Sequence, residues 1–214
     1  MRRIGFARMT DFLSLFSPLF ATAFTLWGAD TSWLELIALV LALAMVGCNI
    51  REIHWGWPLA AISSVLYFAL FWRSKLYGDA ALQVFFAVVA LWGWAQWLRG
   101  RQADGSALTI RHLTAQGRWC VLLVCALLWP ATGWFLHRYT DTDVPWWDAF
   151  PTALSVVGQW LLGRKYLANW AVWVLVNVVS VGLFAWKGLW LTALLYSLFV
   201  ALSVVGWRAW QRKL

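Results

Sequence analysis

Seven long apolar runs, separated by short polar or basic segments, occupy the chain from residue 34 to residue 207. A helix that crosses a bilayer needs about 20 mostly apolar residues, and these runs approach that length. None of the runs alternates polar and apolar residues at a period of two, as the strands of a transmembrane barrel do. We therefore predict an all-α polytopic membrane protein. The predicted spans are Leu34–Cys48, Trp57–Trp72, Ala80–Leu98, Trp119–Leu136, Phe150–Leu162, Trp170–Trp186 and Leu189–Trp207.

Composition supports this class of protein. Hydrophobic residues make up 63% of the chain and charged residues only 12%, whereas soluble domains are about 25% charged. The net charge of +8 does not indicate a nucleic-acid partner, because Lys and Arg lie between the apolar runs and form no single basic face. The three cysteines show no metal-ligand spacing, and we expect no metal and no cofactor.

An eighth apolar segment, Phe12–Trp27, is short and contains Pro18, so it could cross the bilayer or lie in the interface. If it crosses, 13 of the 17 Lys and Arg residues fall on one side of the membrane, against 10 if it does not. Basic loops face the cytoplasm. We therefore expect an extra N-terminal helix within residues 1–30, both termini in the cytoplasm, and a multi-pass protein of the inner membrane.

An internal repeat divides the chain. We place the repeats at residues 33–98 and 146–210, and Trp33–Trp97 matches Trp146–Trp210 without gaps at a constant offset of 113. The matched pairs include Trp33 with Trp146, Arg51 with Arg164, Trp57 with Trp170, Phe86 with Phe199 and Gly93 with Gly206. Each repeat holds three predicted helices, and residues 99–137 supply a basic cytoplasmic loop and one connecting helix, with a tail at 211–214. One helix between two triplets makes the repeats parallel, a 3+1+3 arrangement described for SWEET transporters, with a substrate site expected between the repeats.

Polar and aromatic residues share one side of the predicted Trp170–Trp186 helix. Trp170, Trp173, Asn177, Ser180 and Phe184 follow helical spacing, while aliphatic residues fill the other positions. We call these five residues the polar-aromatic stripe. At the offset of 113 the stripe corresponds to Trp57, Ala60, Ser64, Tyr67 and Phe71, and Gln83 corresponds to Tyr196. Ser155 and Gln159 add polar groups to the second repeat alone, which suits an asymmetric ligand.

Two segments carry a family resemblance. Tyr77–Trp97 (YGDAALQVFFAVVALWGWAQW) and Arg164–Phe184 (RKYLANWAVWVLVNVVSVGLF) closely resemble the PnuC family of nicotinamide riboside transporters. The resemblance covers about residues 33–210. It implies a SWEET-like 3+1+3 fold, nicotinamide riboside as the substrate, facilitated diffusion with trapping by a cytoplasmic kinase, and a homotrimer in the lipid bilayer.

The residues fit that ligand chemistry. A cationic pyridinium ring is held well by a tryptophan face, and a carboxamide and ribose need amide and hydroxyl partners in a mostly apolar site. The predicted substrate-binding residues are Trp173, Asn177, Gln83, Tyr67, Tyr196, Ser180, Trp170, Ser64, Gln159 and Ser155. The structural alternative is that the amides of Asn177 and Gln83 only join helices, each contributing about 0.6 kcal/mol.

No charged residue lies in the middle of any predicted span, which favours an uncoupled facilitator and disfavours a phosphorylated substrate. His54, His112 and His137 lie in predicted loops, and no catalytic motif is visible, so we expect no enzyme and no catalytic residues. The alternatives are a facilitator of another vitamin nucleoside or of a sugar on the same fold, and a substrate-binding membrane subunit that needs a partner ATPase.

Overall fold

The computed structural model describes residues 17–26, 29–73, 77–102, 104–140, 142–186 and 190–214. Within these ranges the chain forms seven α-helices and a two-stranded sheet. All seven predicted spans are confirmed as helices, apart from Leu189, which lies outside the described residues. The helices are α1 (Trp33–Ile50), α2 (Gly56–Arg73), α3 (Tyr77–Arg99), α4 (Ala115–Tyr139), α5 (Pro145–Gly163), α6 (Ala168–Trp186) and α7 (Trp190–Gln211).

Length and composition qualify four of the described helical segments to cross a membrane: α1, α4, α6 and the Ala193–Gln211 part of α7. A shorter apolar stretch, Gly56–Leu70, lies in α2. For α2, α3 and α5, membrane crossing stays a prediction.

The N-terminal segment differs from the expected helix. Ser17–Phe20 forms a 3-10 turn, and strand β1 (Thr22–Leu26) pairs antiparallel with β2 (Ala29–Ser32). Pro18 has no backbone N–H to continue a helix, and the β-branched threonines of β1 favour an extended chain. The predicted N-terminal helix therefore does not run through residues 17–26, and residues 12–16 and 27 of that segment lie outside the described residues.

Local signals explain where two of the helices begin. Thr114 precedes α4, and its Oγ accepts a hydrogen bond of 3.0 Å from the backbone N–H of Gly117. This cap satisfies one of the backbone donors that every helix start leaves free. Pro145 occupies the first turn of α5, where a missing N–H costs nothing. Both helices therefore begin a few residues before the predicted apolar runs.

The helix boundaries repeat with the offset of the sequence. Adding 113 to the ends of α1, α2 and α3 gives 146–163, 169–186 and 190–212, and the observed ends of α5, α6 and α7 differ from these by at most one residue. Even the linkers correspond: Glu52 and Lys165 differ by 113, and both have a positive φ, of 59° and 55°. That the two repeats run parallel stays a prediction.

The described residues form two compact units, one drawn from 17–49 and 53–94, the other from 50–52 and 95–214. Leu34, Ala38 and Leu66 form the core where α1 meets α2 in the first unit. In the second unit, α6 packs against both α5 and α7. A core of Ala153, Leu154 and Val176 lies where α5 meets α6.

Each unit contains a tryptophan that packs on a glycine. In the first unit a Cβ on Gly93 would collide with the ring of Trp57. In the second unit a Cβ on Gly206 would lie 2.6 Å from the ring of Trp170. The two pairs are equivalent at the offset of 113, so both third helices need a glycine to let the tryptophan of the preceding helix lie against their backbone.

The predicted basic loop before α4 is bound to the α5–α6 linker. The backbone N–H of Arg111 donates to the Lys165 carbonyl at 3.1 Å, and the N–H of Leu167 donates to the Arg111 carbonyl at 3.0 Å. The Arg111 guanidinium lies 4.4 Å from the centre of the Tyr166 ring. Backbone pairing and stacking together attach residues 165–167 to Arg111.

Gly206→Ala should destabilise the protein, because the new methyl group collides with Trp170 in a packed interior. We expect a loss of about 1–3 kcal/mol in the free energy of unfolding, which is typical of overpacking. Gly182→Ala in α6 is the matched control, since a Cβ there meets nothing within 4 Å. Thermal unfolding in detergent measures both, and equal melting temperatures for the two variants would contradict the packing assignment.

Candidate functional site

The polar-aromatic stripe of α6 lies inside the second unit. Trp170, Asn177 and Ser180 are buried, with 3%, 6% and 3% of their surface exposed. On the opposite side of the same helix, Leu175 and Val178 are 46% and 50% exposed. The stripe therefore faces protein, while aliphatic side chains cover the outer face, as the sequence predicts for a helix bordered by lipid.

Asn177 is held by a residue that the sequence analysis did not single out. Its Nδ2 lies 3.4 Å from Ser203 Oγ on α7, and that hydroxyl donates to the Phe199 carbonyl at 2.7 Å. Ser203 is buried, with 3% of its surface exposed. The signal that could have found it is spacing, since Tyr196, Phe199 and Ser203 fall on one side of α7 at i, i+3 and i+7.

Aromatic rings extend this region along α6 and α7. The Tyr196 ring lies 5.0 Å from Phe184 and meets Phe199 edge to face at 5.8 Å, measured between ring centres. Trp173 is partly buried and lies against α5, where a Cβ on Gly158 would be 3.2 Å from its ring. Flat aromatic surfaces thus border the Asn177 amide along the helix axis.

The polar residues of α5 differ in how their hydrogen bonds are used. Ser155 Oγ donates to the Pro151 carbonyl at 2.7 Å, so its proton is engaged within its own helix. Gln159 Oε1 is buried and finds no hydrogen-bond partner among the described residues. An unpaired amide oxygen in an apolar interior costs about 1–3 kcal/mol and is normally met by water or a ligand. The Gln159 amide oxygen can therefore still accept a hydrogen bond. The Ser155 hydroxyl can also accept one, but its proton is already donated.

Trp170 has a packing role in the structure. Its ring meets Trp210 edge to face, with the centres 5.5 Å apart, and it covers Gly206. Its Nε1 is buried and unpaired among the described residues. Trp170 therefore packs in the interface between α6 and α7.

Three predicted residues lie in the first unit. Ser64 is buried, and Tyr67 is partly buried against the core of Leu34, Ala38 and Leu66. Gln83 is partly buried in α3. Their contact with a substrate stays a prediction.

Within the seven helices, charged residues lie only near the helix ends. Every Asp, Glu, Lys and Arg of the seven helices lies within four residues of a helix terminus, and α6 contains none. In the described part of the chain, no group of three His, Cys, Asp or Glu side chains could hold a metal ion. The buried polar groups of the site are neutral amides and hydroxyls, which can bind a polar ring without a charged partner.

A family model described as "Nicotinamide mononucleotide transporter" matches residues 32–212. The chain belongs to this transporter family. It is 27% identical to the nicotinamide riboside transporter PnuC of Escherichia coli (strain K12), and the alignment covers 94% of each chain. It is 29% identical to the riboflavin/roseoflavin transporter RibM of Streptomyces davaonensis, over 88% of this chain and 89% of that relative. The crystal structure of the vitamin B3 transporter PnuC superposes with a TM-score of 0.68 at 23% identity, covering 95% of this chain and 88% of that one.

These matches confirm the PnuC resemblance and the all-α polytopic membrane fold. They also confirm that the chain belongs to a family of membrane transporters and not to an enzyme family. The SWEET-like relation of the repeats and the homotrimer stay predictions.

This family member also carries an ion cluster outside the helices, formed by Glu52, Lys165 and Lys213. The Glu52 carboxylate accepts from Lys165 Nζ at 3.0 Å and from Lys213 Nζ at 2.8 Å. Burial acts to raise the pKa of Glu52, but the hydrogen bonds and charges of Lys213 and Lys165 outweigh it, so the pKa lies below the ordinary 4.5. The cluster joins the α1–α2 linker, the α5–α6 linker and the C-terminal tail.

Rings connect the ion cluster to the stripe. Lys165 Nζ lies 4.9 Å from the centre of the Trp97 ring, and Trp97 lies 6.3 Å from Trp210. Trp210, 0% exposed, in turn meets Trp170. A continuous set of tryptophan contacts thus runs from the charged linker to the first residue of the stripe.

Glu52→Gln should lower the free energy of unfolding by about 1 kcal/mol at neutral pH, the scale of partly exposed ion pairs. Because folding depresses the pKa of Glu52, its stabilising effect is present above 4.5 and is lost as the pH falls through the folded-state pKa. The melting temperatures of parent and variant in detergent should therefore converge in acid. Asp143→Asn is the control, because exposed Asp143 makes no ion pair with any described residue. A difference in melting temperature between the parent and Glu52→Gln that persists in acid would contradict the stabilising role of the Glu52 ion pairs.

Proposed function

We propose that this protein carries nicotinamide riboside across the inner membrane by facilitated diffusion, followed by trapping through cytoplasmic phosphorylation. The observation that carries the proposal is the buried Asn177 amide on an aromatic stripe that contains no charge. The relative from Escherichia coli, aligned over 94% of both chains, is a nicotinamide riboside transporter. Amide and hydroxyl groups match the carboxamide and ribose, and tryptophan faces match the cationic ring.

The neutral site favours the riboside over the mononucleotide that the family description mentions. A phosphate group at neutral pH carries nearly two negative charges and is usually bound by Arg or Lys. The Lys and Arg residues of the helices lie only at their ends, and α6 has none. A mononucleotide would therefore bury its phosphate without a cationic partner.

The same distribution of charge supports an uncoupled mechanism. Proton-driven carriers rely on an ionisable side chain within the membrane, and no Asp or Glu lies in the middle of the seven helices. We propose a net flux that follows the substrate gradient, two parallel repeats at 33–98 and 146–210, a homotrimer, and a cytoplasmic C-terminus. The orientation rests on the distribution of Lys and Arg, because 10 of the 17 fall on the side of the C-terminus when the N-terminal segment does not cross the membrane.

Riboflavin is the second candidate substrate, because RibM is 29% identical over 88% of this chain. Its uncharged isoalloxazine ring could stack on the same aromatic residues. The two candidates differ in charge and ring size, so direct competition separates them.

Liposomes that contain only the purified protein should equilibrate labelled nicotinamide riboside without ATP and without an ion gradient. An excess of unlabelled riboside should compete, whereas the mononucleotide should not. Riboflavin added at the same excess tests the second candidate. Accumulation above equilibrium driven by a proton gradient, or uptake only of the mononucleotide, would contradict the proposal. Empty liposomes measure leakage.

Asn177→Leu should weaken binding of nicotinamide riboside by at least about tenfold, equivalent to about 1.4 kcal/mol, because a ligand hydrogen bond is lost. Stability should change by only about 0.6 kcal/mol, the average for a polar link between membrane helices. Quenching of tryptophan fluorescence measures affinity. Val178→Leu, on the exposed face of the same helix, is the control and should bind like the parent. Parental affinity in Asn177→Leu would remove Asn177 from the site.

A further inference from the structure

Ser203 is the partner of Asn177, and its single proton is already used. The hydroxyl donates to the Phe199 carbonyl at 2.7 Å, one turn earlier in α7. A serine hydroxyl has one proton and two lone pairs. While it donates to Phe199, Ser203 Oγ can only accept a hydrogen bond from Asn177.

This arrangement sets the direction of the Asn177 amide. The two ends of an asparagine amide have nearly the same shape, so the surrounding hydrogen bonds decide which end faces which neighbour. Because Ser203 Oγ accepts, the Asn177 group nearest to it is Nδ2, at 3.4 Å. A flipped amide would place Oδ1 against the hydroxyl lone pairs, unless Ser203 gave up its 2.7 Å bond to Phe199. Oδ1 is therefore turned away from Ser203 and presented as an acceptor.

We propose that Ser203 is a positioning residue that selects substrates with a hydrogen-bond donor at Asn177. The inference rests on the proposed function, in which Asn177 contacts the ligand. A primary carboxamide offers N–H donors to Oδ1, whereas a carboxylate offers only oxygen atoms and a negative charge. Ser203 thus makes the site select a nicotinamide ring over a nicotinic acid ring without any charged residue.

The equivalent positions of the first repeat do not form such a pair. Subtracting 113 from 177 and 203 gives Ser64 and Ala90, both of which are buried. Ala90 has no hydroxyl, so nothing there can orient a side chain in the same way. The pair of Asn177 and Ser203 therefore occurs in the second repeat and not at the equivalent positions of the first. This difference suits a ligand whose two ends differ.

The test compares the affinities of the full-length protein in detergent for nicotinamide riboside and for nicotinic acid riboside, which replaces the carboxamide with a carboxylate. Ser203→Ala should weaken nicotinamide riboside binding several-fold. It should also reduce the preference for nicotinamide riboside over nicotinic acid riboside about tenfold, because the Asn177 amide can then flip. Ser203→Thr keeps the hydroxyl and should keep the parental ratio.

Ser197→Ala is the matched control. Ser197 lies on the same helix and donates to the Ala193 carbonyl at 2.8 Å in the same way, but its side chain is exposed. It should leave both affinities unchanged. A general loss of helix stability would lower both affinities together, whereas loss of positioning changes their ratio.

The outcomes separate the two levels of the proposal. If the parent binds nicotinamide riboside and Ser203→Ala keeps the parental ratio, the role of Ser203 is overturned while the proposed function stands. If the parent does not bind nicotinamide riboside, the proposed function is overturned, and this inference with it. A reduced ratio in Ser203→Ala, together with parental ratios in Ser203→Thr and Ser197→Ala, establishes the positioning role.

Discussion

A hydrocarbon interior offers no hydrogen bonds, and this constraint shapes both the fold and the site. Backbone groups meet it by forming helices, so a polar side chain inside the helices needs a partner of its own. Asn177 has one in Ser203, and Ser155 has one in the carbonyl of Pro151. Gln159 Oε1 has none among the described residues. A polar ligand beside Gln159 could therefore supply the hydrogen bond that its amide oxygen lacks.

Much of the fold could be predicted because membrane helices are long and apolar and because the chain repeats. The offset of 113 places every helix of the second repeat within one residue of its observed ends. The N-terminal segment could not be predicted as well. Its apolar run and the distribution of Lys and Arg suggested a helix, but Pro18 and the threonines of β1 favour a turn and a strand over residues 17–26.

The site could be predicted in part. Helical spacing alone places Asn177 and Ser180 on a buried face, since α6 is polar on one side only. Spacing could not show that Trp170 packs on Gly206, because a tryptophan that lines a site and one that fills an interface have the same pattern. Ser203 was not predicted, because its role depends on contact with Asn177 of another helix, which spacing along α7 does not show. Contacts between helices, unlike periodicity, are decided by tertiary packing.

The two repeats differ in side chains at equivalent positions, and these differences create contacts that identical repeats would lack. Glu52 and Lys165 are equivalent and share the same rare backbone conformation, and they pair because one is acidic and the other basic. Ser64 and Asn177 differ likewise, and only the second has an orienting serine. Under the proposed function the ligand is a nucleoside with a flat cationic ring at one end and a sugar at the other. The two repeats offer different polar residues, which suits a ligand whose ends differ. Neutral groups can hold such a ring, since a tryptophan face contributes about 0.5–2 kcal/mol to binding a cation.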